Sequence, residues 1–285
     1  MNAITTARSL VQDLGGIPTQ PTWLADLAEV AATGEVWQLR DAYGSRLAVI
    51  AGFAYPGGTD PSLFLFDVDA CGAIMVVNSG CYDDVAQAAA AWRAFAGESA
   101  DGTEPQRVET AQELLGLLHA ERDELFVVGD ESDSALDNWF RAMRRFYDLA
   151  EALDQRGLPL PVAESLFGKI DETPSAEAFT AWYTAHHGQP PDDAEAVEVL
   201  AHEWLEGCLP GAQHAASPHR VRYFRELMSD WIDDSITVVA KTLLPDWVRW
   251  NCEQAGVSEH LTALSVGAAE GERETYSRHG STCAS

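Results

Sequence analysis

The sequence predicts an α+β protein, in which a small antiparallel β-meander with covering helices precedes an all-helical domain. Four short runs rich in β-branched and aromatic residues lie between positions 36 and 79, separated by turn residues. The intervals are too short for parallel crossovers, which need about a dozen residues, so these strands must be antiparallel. Beyond a Pro-rich segment at 156–161, the apolar residues follow helical spacing.

At the start of the chain, the apolar residues follow helical spacing, and this pattern ends at Gly34. The predicted strands follow, with the sequences VWQLR, RLAVIAGFAY, SLFLFDV and AIMVVNS. Residues Cys81 to Asp84 then cap a helix with one apolar stripe, formed by Val85, Ala88, Ala89, Trp92 and Phe95. The side chains in the middle of the stripe are small, so this helix can lie close to the sheet.

A second helix is predicted over 111–121, and the run FVVG indicates an edge strand. Asp133 or Ser134 caps a long helix that extends to Leu153. The segment at 156–161 follows as the interdomain linker, because Gly ends a helix and paired prolines hold an extended chain.

In the C-terminal half we predict helices that start at Thr173, Asp192 and Ser217. Pro245 is expected to break the next apolar stretch, which leaves a short helix from Trp247 to Glu253. The polar residues from Gly267 onward are predicted to be disordered. The predicted domains are therefore 1–156, 157–267 and a disordered tail, 268–285.

Acidic residues dominate both halves of the chain. There are 25 acidic against 10 basic residues up to Arg156 and 20 against 8 beyond it, for a net charge of −27. This charge repels phosphate backbones and anionic lipid surfaces, so neither nucleic-acid nor membrane-surface binding is expected. A basic protein is the expected kind of partner.

The first residues contain no basic leader with an apolar stretch, and no run of about eighteen apolar residues occurs, so we expect a cytoplasmic protein. The five cysteines are scattered without CxxC spacing, which favours reduced thiols over disulfides or a four-ligand zinc site.

The run that ends in Asp67-Val68-Asp69 resembles the nucleophile strand of the haloacid dehalogenase type of phosphohydrolases. This resemblance implies a metal site that also contains an acidic pair, for which Asp130 and Asp133 are the candidates. Two features oppose it. The only lysines are Lys169 and Lys241, neither of which lies between the acidic motifs, and the chain continues directly into another strand instead of a crossover helix.

We therefore expect Asp67 to Gly72 to form a solvated tight turn, where Asp and Gly are common for backbone reasons. No cofactor is predicted; the alternative is a divalent cation, or a partner's Arg, bound by the two carboxylates.

Other candidate sites have simpler structural explanations. Cys81 precedes a predicted helix start, which would favour a thiolate, but Asp83 and Asp84 oppose that effect. Arg141, Arg144 and Arg145 could bind an anion, but local ion pairs with Asp137 and Asp148 explain them without a ligand and are the preferred interpretation. The set His202, Cys208, His214 and His219 suggests zinc, but helical geometry separates the first two by about 120°.

The stretch from Val36 to Gly58, which contains FAYPGG, resembles a family of uncharacterised actinobacterial proteins together with the segments SPHRVRYF and LPDWVRW. The resemblance covers about Glu35 to Gly256 and implies this domain layout, with no established function. In that family the turn after the third strand carries a His. Here Asp67 and Gly72 match the family and the His is absent.

The leading functional hypothesis is a non-enzymatic cytoplasmic interaction or regulatory protein whose acidic surface binds a basic partner. The alternatives are a metal-dependent phosphohydrolase of the haloacid dehalogenase type and a small-ligand binding module with its pocket between the sheet and the helical domain. The sequence does not decide whether the chain is an enzyme, but it favours a binding role over a catalytic one.

Overall fold

The computed structural model describes residues 30–54, 62–69, 75–107, 133–157, 172–206, 208, 212–231 and 233–272. The predicted N-terminal helices, the helix at 111–121, the FVVG strand and most of the linker lie outside these residues.

The described strands are β1 (Ala31–Arg40), β2 (Arg46–Ala54), β3 (Ser62–Asp69), β4 (Met75–Tyr82) and β5 (Gln106–Arg107). They form one antiparallel sheet in the order β4-β3-β2-β1-β5. Asp41 fixes the turn between β1 and β2, because its Oδ1 accepts hydrogen bonds from the backbone N–H groups of Ser45 (2.9 Å) and Arg46 (3.0 Å). The predicted meander is confirmed.

Helices cover both faces of the sheet. The first, α1 (Val85–Ala96), packs through Trp92 on one face, whose buried residues include Leu39, Ala48, Ile50, Leu63 and Leu65. Side chains alternate along a strand, so Phe64, Phe66 and Val68 face the other way. There α2 (Asp133–Gln155) contacts β1 and β4, and Phe146 packs edge-on against Phe66 at 6.0 Å. Burial on both faces explains why the central strands β2 and β3 are almost continuously apolar.

The start of α1 follows the sequence pattern. Asp84 is the N-cap, and its Oδ1 accepts a hydrogen bond from the backbone N–H of Gln87 at 2.8 Å. Gly97 ends the helix with a φ of 78°. Phe95, which the apolar stripe predicted to be buried, is 49% exposed because it lies in the last turn.

The C-terminal half is helical, with α3 (Thr173–His187), α4 (Ala194–Leu205), α5 (Pro218–Leu227), α6 (Asp234–Ala255) and α7 (Glu259–Glu270). Asp193 and Ser217 are the N-caps of α4 and α5, as their sequences predict. The helices share a hydrophobic cluster distinct from that of the sheet, which includes Phe179, Leu200, Trp204, Phe224, Leu244 and Trp247. The predicted α+β class is confirmed.

Pro245 does not break its helix, so the prediction of a separate short helix from Trp247 to Glu253 is wrong. Pro245 lies inside α6, which continues to Ala255 and has Gly256 as its C-cap. Proline removes one backbone donor and crowds the preceding turn. Burial of the flanking side chains offsets that cost, because Leu244, Trp247 and Val248 are fully buried.

The prediction of disorder from Gly267 onward is also wrong at its start. Residues up to Glu270 belong to α7, which Ser258 caps at its N-terminus and Gly271 ends. Gly267, Ala268 and Ala269 are buried, since α7 packs on α5 and α6. The small side chains allow this close approach. Because they include no large apolar residues, the segment shows no helical spacing of such residues in the sequence. Residues 273–285 lie outside the described chain.

Among the described residues, side chains of the sheet region contact the last helix. The Tyr43 hydroxyl, in the turn between β1 and β2, donates a hydrogen bond to the backbone oxygen of Leu261 at 2.8 Å. Nearby, His260 Nε2 lies 3.2 Å from Glu98 Oε2. These contacts place α7 beside the end of α1.

Among the described helices, we find none with the length and apolar character needed to span a membrane.

Candidate functional site

Asp67 lies inside β3 and is fully buried, so the prediction of a solvated surface turn is wrong for this residue. In the sheet register it pairs with Ala48 of β2 and Asn78 of β4, and both neighbouring strands are antiparallel. Side chains alternate along a strand, so Asp67 lies on the same face as Leu63 and Leu65 and its side chain faces α1.

The carboxylate of Asp67 is held from two directions. Arg46 donates from Nε to Oδ1 (3.1 Å) and from Nη2 to Oδ2 (2.7 Å), which makes a bidentate ion pair. Trp92 of α1 donates from Nε1 to Oδ1 at 3.1 Å. Arg46 also donates from Nη1 to the backbone oxygen of Phe95 at 3.2 Å. Asp67 therefore joins the sheet to the covering helix.

This arrangement differs from a phosphoryl-transfer site, in which the attacking carboxylate lies at the end of a strand and faces the substrate. Both oxygens of Asp67 accept hydrogen bonds from protein donors below α1. Asp69 is the last residue of β3, and Asp133 is the first residue of α2. The side chains of Asp69 and Asp133 and the whole of Asp130 lie outside the described part of the structure.

Cys81 lies in β4, opposite Phe64, and its side chain is exposed. The helix that follows begins only at Val85, with Asp84 as its N-cap. The sequence interpretation placed Cys81 at the helix start, where the dipole would act on the thiol. The structure places the thiol on the sheet instead, so that argument for reactivity does not apply.

Two members of the arginine group make internal contacts on α2. Asp148 accepts from Arg144 at 3.2 Å and from Arg145 at 2.8 Å, so the predicted ion pair with Asp148 is confirmed. Arg145 is buried and lies 5.7 Å from the ring centroid of Phe53. Burial raises the pKa of Asp148, while Arg144 and Arg145 favour its charged form. The Arg141 side chain lies outside the described part.

The His and Cys residues of the possible zinc set have separate surroundings. His214 Nδ1 lies 2.9 Å from Asn251 Oδ1, and its ring packs edge-on against Trp250. Cys208 is buried just beyond the end of α4. His202 is exposed on α4 and faces Glu172, with an Nδ1–Oε1 distance of 3.7 Å.

Arg220 is a buried charged residue that the sequence analysis missed. It donates from Nη2 to the Trp204 backbone oxygen (2.5 Å) and to Cys208 Sγ (2.6 Å), and from Nη1 to the Ala215 backbone oxygen (2.6 Å). Its guanidinium also lies 4.2 Å from the Trp204 ring centroid. Arg220 thus holds the connection between α4 and α5. The sequence feature that could have drawn attention to Arg220 is its position directly after the predicted helix start at Ser217-Pro218.

A second missed feature is the segment 170–219, which contains nine Asp or Glu residues and no Lys or Arg. It includes α3 and α4, and Glu177, Glu195 and Glu198 are exposed on these helices. The absence of basic residues from this segment is visible in the sequence. It was missed because the charged residues were counted over each half of the chain and not over shorter segments. Within the described residues, these three carboxylates make no ion pair with a basic side chain.

Comparison of the chain with protein-family models, with curated proteins and with solved structures gives no match.

Proposed function

We propose that this chain is a non-enzymatic cytoplasmic interaction or regulatory protein, whose α3–α4 surface binds a basic protein partner. The observation that carries the proposal is the charge of segment 170–219, in which nine acidic residues stand without a single Lys or Arg. Elsewhere in the described chain, acidic residues such as Asp67 and Asp148 form ion pairs inside the protein.

The acidic surface consists of Glu177 on α3 with Glu195 and Glu198 on α4. Glu195 and Glu198 lie three residues apart and so share one face of the helix, where like charges destabilise it by a few tenths of a kcal/mol. Lys or Arg side chains from a partner would relieve this repulsion and would also speed association.

Several features favour a protein partner over other classes of ligand. The net charge of −27 repels nucleic acids and anionic membranes. The burial and internal pairing of Asp67 support a structural role for the residue that most resembled a nucleophile. The ligand that best complements the exposed carboxylates of Glu177, Glu195 and Glu198, which form no ion pair within the described residues, is a basic surface on another protein.

The test uses the full chain as bait in a lysate of its source cells at low ionic strength. A captured protein is identified by mass spectrometry, purified and titrated against the chain by calorimetry at increasing NaCl. We expect a partner with a basic surface whose affinity falls about tenfold or more as salt rises towards physiological strength, where the Debye length is about 8 Å.

The variant Glu177→Gln/Glu195→Gln/Glu198→Gln tests the location of the surface, and its expected effect is a loss of most of the affinity. The matched control is Glu226→Gln/Glu259→Gln/Glu270→Gln, which makes the same charge change at exposed positions on α5 and α7. Equal affinity in the first triple variant and the wild type would overturn the proposal, as would a partner that salt does not release.

A further inference from the structure

A compact group of metal-ligating side chains lies at the C-terminal end of α4. His202, Glu203 and Glu206 each offer one ligand atom, and these atoms all lie within 4.8 Å of one another. Such spacing would allow one ion to contact all three with modest rotamer changes. None of these residues belongs to the Glu177, Glu195 and Glu198 surface.

Helix geometry accounts for the convergence. His202 and Glu206 are four residues apart, and Glu203 and Glu206 are three apart, so both pairs are neighbours on the helix surface. The backbone N–H of Glu206 still donates to the His202 backbone oxygen, which fixes the last turn. His202 and Glu203 therefore lie in the last turn of α4, and Glu206 is its C-cap, where the chain leaves the helix with a ψ of 127°.

A third carboxylate reaches the same point from outside α4. Glu172 precedes α3, and its Oε1 lies 3.7 Å from His202 Nδ1. A carboxylate beside one nitrogen of an imidazole sets the orientation of the ring, an arrangement that accompanies most metal-bound histidines. The group is therefore a mixed nitrogen and oxygen donor set at the end of α4, with a carboxylate from a second element beside its imidazole.

The surrounding charge favours a cation. The C-terminal end of α4 carries partial negative charge from its last carbonyl groups, one of which, that of Trp204, already accepts a hydrogen bond from Arg220. No Lys or Arg occurs in segment 170–219, and within the described chain Glu203 and Glu206 form no ion pair with a basic side chain. Nothing in the described surroundings thus neutralises these carboxylates.

We propose that His202, Glu203 and Glu206 bind a divalent transition-metal ion of the Zn²⁺ class, with Glu172 as a positioning residue. The imidazole decides the class, because Mg²⁺ and Ca²⁺ select all-oxygen sites, whereas Zn²⁺ and Co²⁺ accept nitrogen with carboxylate oxygen. Water completes the coordination, since the residues stand at the surface. This site shares no residue with the Glu177, Glu195 and Glu198 surface, although Glu198 lies one helical turn before His202.

The test titrates the full chain with Zn²⁺ by calorimetry, in a non-chelating buffer with a phosphine reductant, and repeats the titration with Mg²⁺. Co²⁺ then serves as a spectroscopic probe. We expect one Zn²⁺ per chain, preference over Mg²⁺ by at least a hundredfold, and a Co²⁺ spectrum with visible bands and no thiolate charge-transfer band.

His202→Ala and Glu206→Gln are each expected to weaken Zn²⁺ binding at least tenfold. The matched control is His260→Ala, because His260 is also exposed and faces a carboxylate, that of Glu98, but lacks the additional donors. Unchanged Zn²⁺ affinity in both cluster variants would overturn the proposal, as would a thiolate band in the Co²⁺ spectrum. Circular dichroism confirms that each variant is folded, and Glu226→Gln/Glu259→Gln/Glu270→Gln, which removes three exposed carboxylates from α5 and α7, should retain the wild-type Zn²⁺ affinity.

Discussion

At the scale of single residues, two buried charges bind parts of the fold that are distant in sequence. Asp67 meets Arg46 and Trp92, which lie 21 and 25 residues away, and Arg220 meets Trp204, 16 residues away. The apolar runs around Asp67 predicted its strand, but its partners depend on the pairing of β2 with β3 and on the docking of α1. Sequence periodicity alone could not supply these contacts.

Asp67→Ala should lower the free energy of unfolding by about 3 kcal/mol, because it leaves the Arg46 guanidinium without its carboxylate beneath α1. Urea denaturation measures the change. Asp83→Ala, at an exposed position beside α1, is the control and should change stability by less than about 0.5 kcal/mol. Similar losses in the two variants would contradict the structural role of Asp67.

Arg220→Met should also destabilise the protein by about 3 kcal/mol, since buried backbone oxygens then lose a charged donor. The exposed Arg225→Met is the comparison, with an expected effect below about 0.5 kcal/mol. Because the Arg220 guanidinium contacts Cys208 Sγ, its removal should also accelerate labelling of Cys208 by a thiol reagent. An unchanged labelling rate would show that Arg220 does not shield this thiol.

At the scale of elements, sequence signals placed most helix ends correctly and failed where packing outweighed local propensity. Asp84, Asp193 and Ser217 cap helices as predicted, because capping depends only on neighbouring residues. Pro245 and the start of the predicted tail were misassigned, since both depend on burial against other helices. The group of His202, Glu203 and Glu206 was not predicted as a set of metal ligands, because the shared face of His202 and Glu206 was interpreted as the polar side of α4.

Pro245→Ala should raise the free energy of unfolding by about 1 kcal/mol, because alanine restores a backbone donor inside α6 and has a far higher helix propensity. Pro218→Ala should have the opposite sign, with a loss of about 0.5 kcal/mol, because proline at the first position of α5 is favourable. Thermal and urea unfolding of both variants test the contrast. A loss of stability in Pro245→Ala would indicate that the proline ring is needed for packing.

At the scale of the whole molecule, the sheet and the helical region meet beside α7, where two buried ionisable groups make stability depend on pH. Burial raises the pKa of the Cys252 thiol to about 11, from 9.0, and also raises the pKa of Tyr43. In the unfolded chain both groups ionise at lower pH. The contribution of Cys252 to stability is therefore complete below pH 9 and is lost as the pH rises towards 11, whereas that of Tyr43, whose ordinary pKa is 10.0, is complete below pH 10 and is lost at higher pH.

Cys252→Ala should flatten the decline of stability between pH 9 and 11, by about 2 kcal/mol over that range. The free energy of unfolding measured by urea at a series of pH values gives this slope. Val266→Ala is the control: it truncates a side chain in the same hydrophobic cluster, so it lowers stability without changing the slope. Parallel pH profiles for wild type and Cys252→Ala would contradict the expectation.

The hydrogen bond from Tyr43 to Leu261 spans 218 residues of sequence, whereas neighbouring strands pair within short hairpins. During synthesis on the ribosome, the meander can therefore assemble long before α7 is translated. Until the last helix leaves the exit tunnel, the faces of α5 and α6 that it covers stay open to water and to chaperones. A ribosome stalled shortly before residue 259 would thus display a nascent chain with a finished sheet and an unfinished helical core.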